Sequence, residues 1–160
     1  MEKAFLRHIN DHQGIIVKVC RMYGSDPADS EDLFQEIVLQ LWKSYPGFNG
    51  LSKVSTWMYR VALNTAITRL RKIKRRPDQH RMTKALDNTP VIDPKRLDVE
   101  YASQLQRAID SLNKFDRALV ILYLDEMSYR EMAEIMGISE SNIGVKINRI
   151  KNKLKTMLNP

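Results

Sequence analysis

The sequence predicts an all-α protein: two small helical domains joined by a flexible linker, the C-terminal domain a helix-turn-helix. Three observations carry this reading. Apolar residues recur at helical spacing over long segments, alternating runs of strand type are few, and there are only six glycines in 160 residues. Three of the six prolines (Pro77, Pro90, Pro94) fall within Pro77–Leu97, where the periodic apolar pattern fades. We read that stretch as a tether between a domain at 1–76 and a second at 98–160. Each piece is small and its core marginal, so docking onto a larger partner would stabilise both.

In the first domain Phe5, Ile9, Ile16, Val19 and Tyr23 define one helix, which Gly24 ends. Ser25-Asp26-Pro27 opens the next, with proline in the first turn, where its missing N–H costs nothing. That helix runs to about Tyr45 and buries Leu33, Ile37 and Leu41, joined by Phe34 and Trp42. Pro46-Gly47-Phe48-Asn49-Gly50 cannot continue it and forms a loop. A third helix spans about Ser55 to Arg75; its first half is aromatic (Trp57, Tyr59), and six of the eight residues Arg69–Arg76 are Arg or Lys.

In the second domain Ser128-Tyr129-Arg130-Glu131 has the form of a capping box, in which Ser128 and Glu131 each accept from the other's backbone N–H. Met132, Ala133, Ile135 and Met136 supply an apolar face, Gly137 suits a turn at positive φ, Ile138 plugs the turn and Ser139 caps the following helix. On that last helix Ile143, Ile147, Ile150 and Leu154 form one stripe. Lys146, Arg149, Lys151, Lys153 and Lys155 lie mostly off it.

Charge bounds the partners. The net charge of +7 and pI near 9.6 favour a polyanion, and charge alone fits nucleic acid or an anionic membrane surface. The bases are segregated: residues 141–160 hold five and no acid, whereas residues 98–140 hold nine acids against four bases. A helix-turn-helix whose second helix carries the bases is dimensioned for the major groove of DNA. Ser141, Asn142, Val145, Lys146, Arg149 and Lys153 are its candidate contacts. Arg and Lys donate to guanine, Asn pairs with adenine, Val145 meets a thymine methyl, and the later lysines reach phosphates.

Other chemistries find little support. No apolar run is long enough to span a bilayer, and the N-terminus lacks the apolar core of a secretion signal, so we expect no membrane insertion and a cytoplasmic location. Cys20 is alone and cannot form an internal disulfide. His8 and His12 stand four apart, but no nearby Cys or further His completes a zinc site. There is no phosphate-cradling glycine loop and no recognisable serine-histidine motif, so neither enzymatic activity nor a cofactor or metal is expected.

Two further clusters have chemistry with more than one outlet. Asp26, Asp29, Glu31, Asp32 and Glu36 form an acidic run with no base between them, and Asp32 and Glu36 share a helical face with Gln35 beside them. Such a face repels DNA and suits a basic protein surface, but equally well a solvated helix start. Trp57, Tyr59, Arg60 and Asn64 combine rings that can stack on unpaired bases with groups that bond to their edges, and Arg69 and Arg71 can neutralise phosphates. An aromatic near a helix start serves a core just as readily.

Three segments, in order, resemble the extracytoplasmic-function group of bacterial sigma factors, the small two-domain initiation subunits of RNA polymerase. Asp32-Leu33-Phe34-Gln35-Glu36-Ile37-Val38-Leu39-Gln40-Leu41-Trp42 is similar to the helix by which that family binds core polymerase. Thr56-Trp57-Met58-Tyr59-Arg60-Val61-Ala62-Leu63-Asn64 is similar to its segment for melting and reading the minus-ten element, and Leu112–Leu154 to its minus-thirty-five-reading domain. The resemblance implies a sigma factor that binds core polymerase and promoter DNA without catalysing a reaction, held in check by an anti-sigma factor. It assigns Asp32, Leu33, Gln35 and Glu36 to the polymerase, and Phe48, with the loop that follows it, Trp57, Tyr59, Arg60, Asn64, Arg69 and Arg71 to minus-ten DNA. Many members carry Arg where Leu63 stands, Asp where Thr68 stands and a base where Gly144 stands. By that comparison Leu63 removes a phosphate contact, Thr68 removes a surface salt bridge, and Gly144 allows close backbone approach. The rival readings are a conventional regulator using only the C-terminal helix-turn-helix, and an adaptor that docks a protein without reading DNA.

Overall fold

A computed structural model describes residues 1–74 and 96–159. Among them every regular element is helical: α1 (Glu2–Asp11), α2 (Gln13–Tyr23), α3 (Pro27–Ser44), a single 3-10 turn at Tyr45–Gly47, α4 (Val54–Lys74), α5 (Arg96–Asp110), α6 (Lys114–Leu124), α7 (Tyr129–Met136) and α8 (Glu140–Leu158). They fall into two compact units, one built mainly from the N-terminal and one mainly from the C-terminal helices, as the all-α, two-domain reading expects. The expected tether lies outside the described residues, except that Arg96 and Leu97 already belong to α5.

In the N-terminal unit α2, α3 and α4 pack on one another through Ile16, Val19, Leu33, Ile37, Leu41, Met58, Tyr59 and Leu63, all buried. Here the expected single first helix is two. At His12 the backbone leaves the helical region (φ −121°, ψ 22°), and the Ile15 N–H donates to the His12 carbonyl instead of that of Asp11, one residue further back. Asn10-Asp11-His12-Gln13-Gly14 offers nothing apolar to bury and ends in a poor helix former. Periodicity passed over the break because Ile9 and Ile16 are two whole turns apart.

Gly24 ends α2 by leaving space. A Cβ there would collide with the Ser30 side chain and the Cys20 carbonyl, the same two groups that the Ser30 Oγ–Cys20 O hydrogen bond (3.2 Å) draws together. The start of α3 is doubly capped. Asp26 Oδ1 accepts from the Asp29 N–H (2.7 Å), and Asp29 Oδ2 accepts from the Ser25 N–H (2.9 Å) and hydroxyl (3.1 Å).

In the C-terminal unit α8 lies against α5 and α6, with Ile143, Ile147 and Ile150 buried as the stripe required. The capping box forms: the Glu131 N–H donates to Ser128 Oγ at 3.1 Å and the Ser128 N–H to Glu131 Oε2 at 3.4 Å. Gly137 takes φ +71° to end α7, and Ser139 Oγ accepts from the Asn142 N–H (3.2 Å) to start α8. Between α6 and α7 the N–H groups of Glu126 and Met127 donate to the carbonyls of Tyr123 and Leu122 (both 3.1 Å), the paired bonds of a Schellman turn. Its left-handed residue is Glu126, at φ 58°, where a glycine would sit without strain.

Candidate nucleic-acid and partner interfaces

On α8 the expected contacts sort cleanly. Ser141, Asn142, Val145 and Arg149 are exposed and lie within an arc of about 100°, opposite the isoleucine stripe. Val145 is 57% exposed, so an apolar group stands ready in the middle of a polar surface. Lys153 is also exposed. Lys146 is half-buried, with its ammonium 5.2 Å from the Phe115 ring centroid, so it is steered rather than free. Lys151 turns to the other flank and sits 4.5 Å from the Tyr123 ring centroid. Position 144 is not bare backbone: the edge of the Tyr129 ring lies 3.5 Å from where a Cβ would be, so the close approach that Gly144 permits is to the protein's own tyrosine.

The α4 candidates divide. Arg60, Asn64, Thr68 and Arg71 are all exposed and follow one another at four, four and three residues, a single polar stripe. Trp57 and Tyr59 do not join it. They are 4% and 0% exposed, so neither ring can stack on a base as expected; both belong to the core. Leu63, at 2%, is also core. Phe48 is half-buried, its ring 4.9 Å from that of Trp57. Trp57 is one end of an aromatic wall that continues through Tyr45 to Phe5 and Trp42. This wall holds the root of the loop at residues 48–53, where Gly50 takes φ +75°, Asn49 Oδ1 accepts from the Leu51 N–H (3.2 Å) and Leu51 stands almost fully exposed.

Arg69 is committed within the protein. Its Nη1 lies 2.7 Å from Asp29 Oδ1 and its Nε 3.5 Å from Glu36 Oε2, which removes it from the free phosphate contacts. Burial pushes the Asp29 carboxyl up, but the Ser25 amide, the Arg69 guanidinium and the Ser25 hydroxyl outweigh it and hold the carboxyl below its ordinary value.

On α3, Asp32 and Gln35 are exposed and Glu36 partly so, while Leu33 is buried at 1% and cannot be a surface contact. The sequence reading missed the rest of this face. Asp32, Gln35, Leu39 and Trp42 follow at three, four and three residues, and Leu39 and Trp42 are about half exposed. With Phe5 and Leu6 of α1, Gln35, Leu39 and Trp42 line an apolar groove of about 460 Å³. The signal was present as a second apolar stripe on α3, but Trp42 was assigned to the core.

The remaining candidates are quiet. Cys20 is buried, and that burial pushes its thiol up to about 11. No group of three potential metal ligands occurs among the described residues, and no described helix is long and apolar enough to cross a membrane.

The described residues thus form an all-α chain whose last two helices make a helix-turn-helix, with polar stripes on two further helices. Residues 8–76 match the family pattern Sigma-70 region 2, and residues 102–154 match Sigma-70, region 4. The ECF RNA polymerase sigma factor SigW of Bacillus subtilis is 25% identical over 98% of this chain and 90% of its own. SigM of the same organism is 27% identical over 99% and 95%. Two solved structures share the fold at 20% identity. The sigma factor RpoE in complex with the anti-sigma factor NepR from Bartonella quintana has a TM-score of 0.68, covering 98% of this chain and 95% of that one. CnrH in complex with the cytosolic domain of CnrY has 0.70, covering 99% and 90%. The chain belongs to the sigma-70 family, in its ECF group.

Proposed function

We propose that this chain is the promoter-selecting subunit of a bacterial RNA polymerase. Residues 1–76 act as the polymerase-binding and minus-ten unit and residues 98–160 as the minus-thirty-five unit. On α3 the exposed face that starts with Asp32, Gln35 and Glu36 and continues into Leu39 and Trp42 docks the polymerase: carboxylates meet a basic surface while the groove takes apolar side chains. Arg60, Asn64 and Arg71 face minus-ten DNA, and the loop at residues 48–53, rooted on Phe48, receives an unstacked base. Ser141, Asn142, Val145 and Arg149 read base edges of the minus-thirty-five element, with Lys146 beside them and Lys153 on a phosphate. The chain performs no chemistry itself and works in the cytoplasm. Because relatives of this fold are captured with an anti-sigma factor, such a protein is the partner that holds this one inactive.

One observation carries this reading. Cationic and hydrogen-bonding side chains are exposed on α4 and α8, whereas α3 turns acids and apolar side chains outward. A conventional regulator needs no such third surface. The test is run-off transcription with purified bacterial core polymerase on a library of genomic fragments. Promoter-specific transcripts that require both the chain and the core are expected. A chain that binds duplex promoters tightly by itself, or supports no specific initiation, overturns the proposal.

A further inference from the structure

Arg69 is flanked on α4 by two residues of the DNA-facing stripe, Thr68 and Arg71, yet its own side chain is only 19% exposed. Besides the two carboxylates it reaches, its Nη1 donates to the Asp29 main-chain carbonyl at 3.3 Å. Asp29 and Glu36 are seven residues apart, two turns on one face of α3. A single guanidinium therefore spans two turns of α3, and its planar fork fixes both distance and orientation, as a lysine would not. Asp29 cannot swing to follow a displaced arginine, because its other oxygen is held by the Ser25 amide and hydroxyl. Glu36 belongs at the same time to the face that carries Asp32 and Gln35. The ion pair is thus the polar junction between the helix assigned to polymerase and the helix assigned to melted DNA.

We propose that Arg69 is a positioning residue that registers the basic end of α4 against the first three turns of α3 and binds no DNA itself. The inference rests on the functional reading above, and the experiment separates the two. Promoter opening is measured with holoenzyme by permanganate reactivity of unpaired thymines, well below the thermal midpoint of every variant. Core affinity and the salt dependence of promoter binding are measured alongside.

Arg69→Met keeps the stem and loses the fork. It should lower opening about tenfold, the size of one charge-assisted hydrogen bond, with core affinity and salt slope unchanged. Asp29→Asn should act in the same direction. The exchanged pair, Asp29→Arg with Arg69→Asp, should recover most of the loss. Arg71→Ala is the contrast and should make the salt slope shallower by close to one counterion.

A shallower slope for Arg69→Met with a neutral Asp29→Asn would make Arg69 a phosphate ligand and overturn the proposal. A lowered thermal midpoint with unchanged opening would make it a fold staple only, which overturns the proposal equally. Loss of core affinity in step with opening, or folded single variants that the exchange does not rescue, would also end it. A wild-type chain that opens no promoter sinks the functional reading, and this one with it; a wild type and an Arg69→Met that open equally sink this one alone.

Discussion

Helices α4 and α8 both carry residues whose types suit DNA, yet they used them differently. On α8 four of the five groups expected to meet base edges, Ser141, Asn142, Val145 and Arg149, are exposed and share one side, opposite the isoleucines, while Lys146 is half-buried. On α4 three of the six expected residues went inward: Trp57 and Tyr59 into the core and Arg69 into an ion pair. The difference lies in the side chains. Lysine, asparagine and serine on a polar arc have little use in a core, so local periodicity settles where they go. An aromatic ring or an arginine fork is valuable both inside and outside, so the neighbouring helices decide.

The sharpest way to break this comparison is to truncate one residue from each helix. Trp57→Ala should cost roughly 3–5 kcal/mol, as a buried aromatic does. Asn142→Ala should stay within about 0.5 kcal/mol. Denaturant melts of the full chain followed by circular dichroism measure both. A Trp57→Ala protein that keeps its stability and loses only promoter opening would return that ring to the DNA.

Next in size are the contacts of α8. Arg149→Ala should lose roughly 1–3 kcal/mol at one base pair of the minus-thirty-five element and relax preference there. Lys153→Ala should weaken all sequences alike and lower the salt slope by close to one. Transcription from promoters altered base by base, at several salt concentrations, separates the two. A uniform loss for Arg149→Ala would move that residue to the phosphates.

Smaller effects test the turns that present α7 and α8. Ser128→Ala should cost about 1 kcal/mol by opening the capping box. Glu126→Gly should stabilise by up to roughly 1 kcal/mol, because it relieves a left-handed residue with a side chain. Thermal melts of the C-terminal transition would show both, with opposite signs.

The smallest effect is the pH signature of the α3–α4 junction. The folded Asp29 carboxyl titrates below its ordinary 3.8, so its contribution is present above that value and is lost as pH falls through the lower folded one. The stability gap between wild type and Asp29→Asn, read by denaturant melts at stepped pH, should therefore be constant near neutrality and close only in that acid window. A gap that closes at higher pH would mean that Asp29 is not held by Arg69 and Ser25.

The sequence by itself determined the helical class, the start of α3 at Asp26-Pro27, the capping box at Ser128, the turn at Gly137 and the buried face of α8. Each of these rests on residues within one or two turns of one another, where spacing and capping chemistry act without reference to the rest of the chain. Tertiary structure alone decided the break at His12, which periodicity could not register, and the fate of the versatile side chains. Trp57 and Tyr59 were drawn into the core, Trp42 was left half outside to wall a groove with α1, and Arg69 was tied to an aspartate forty residues away. The physical reason is that apolar burial and ion pairing depend on which surfaces meet, and those surfaces come from helices far apart in sequence.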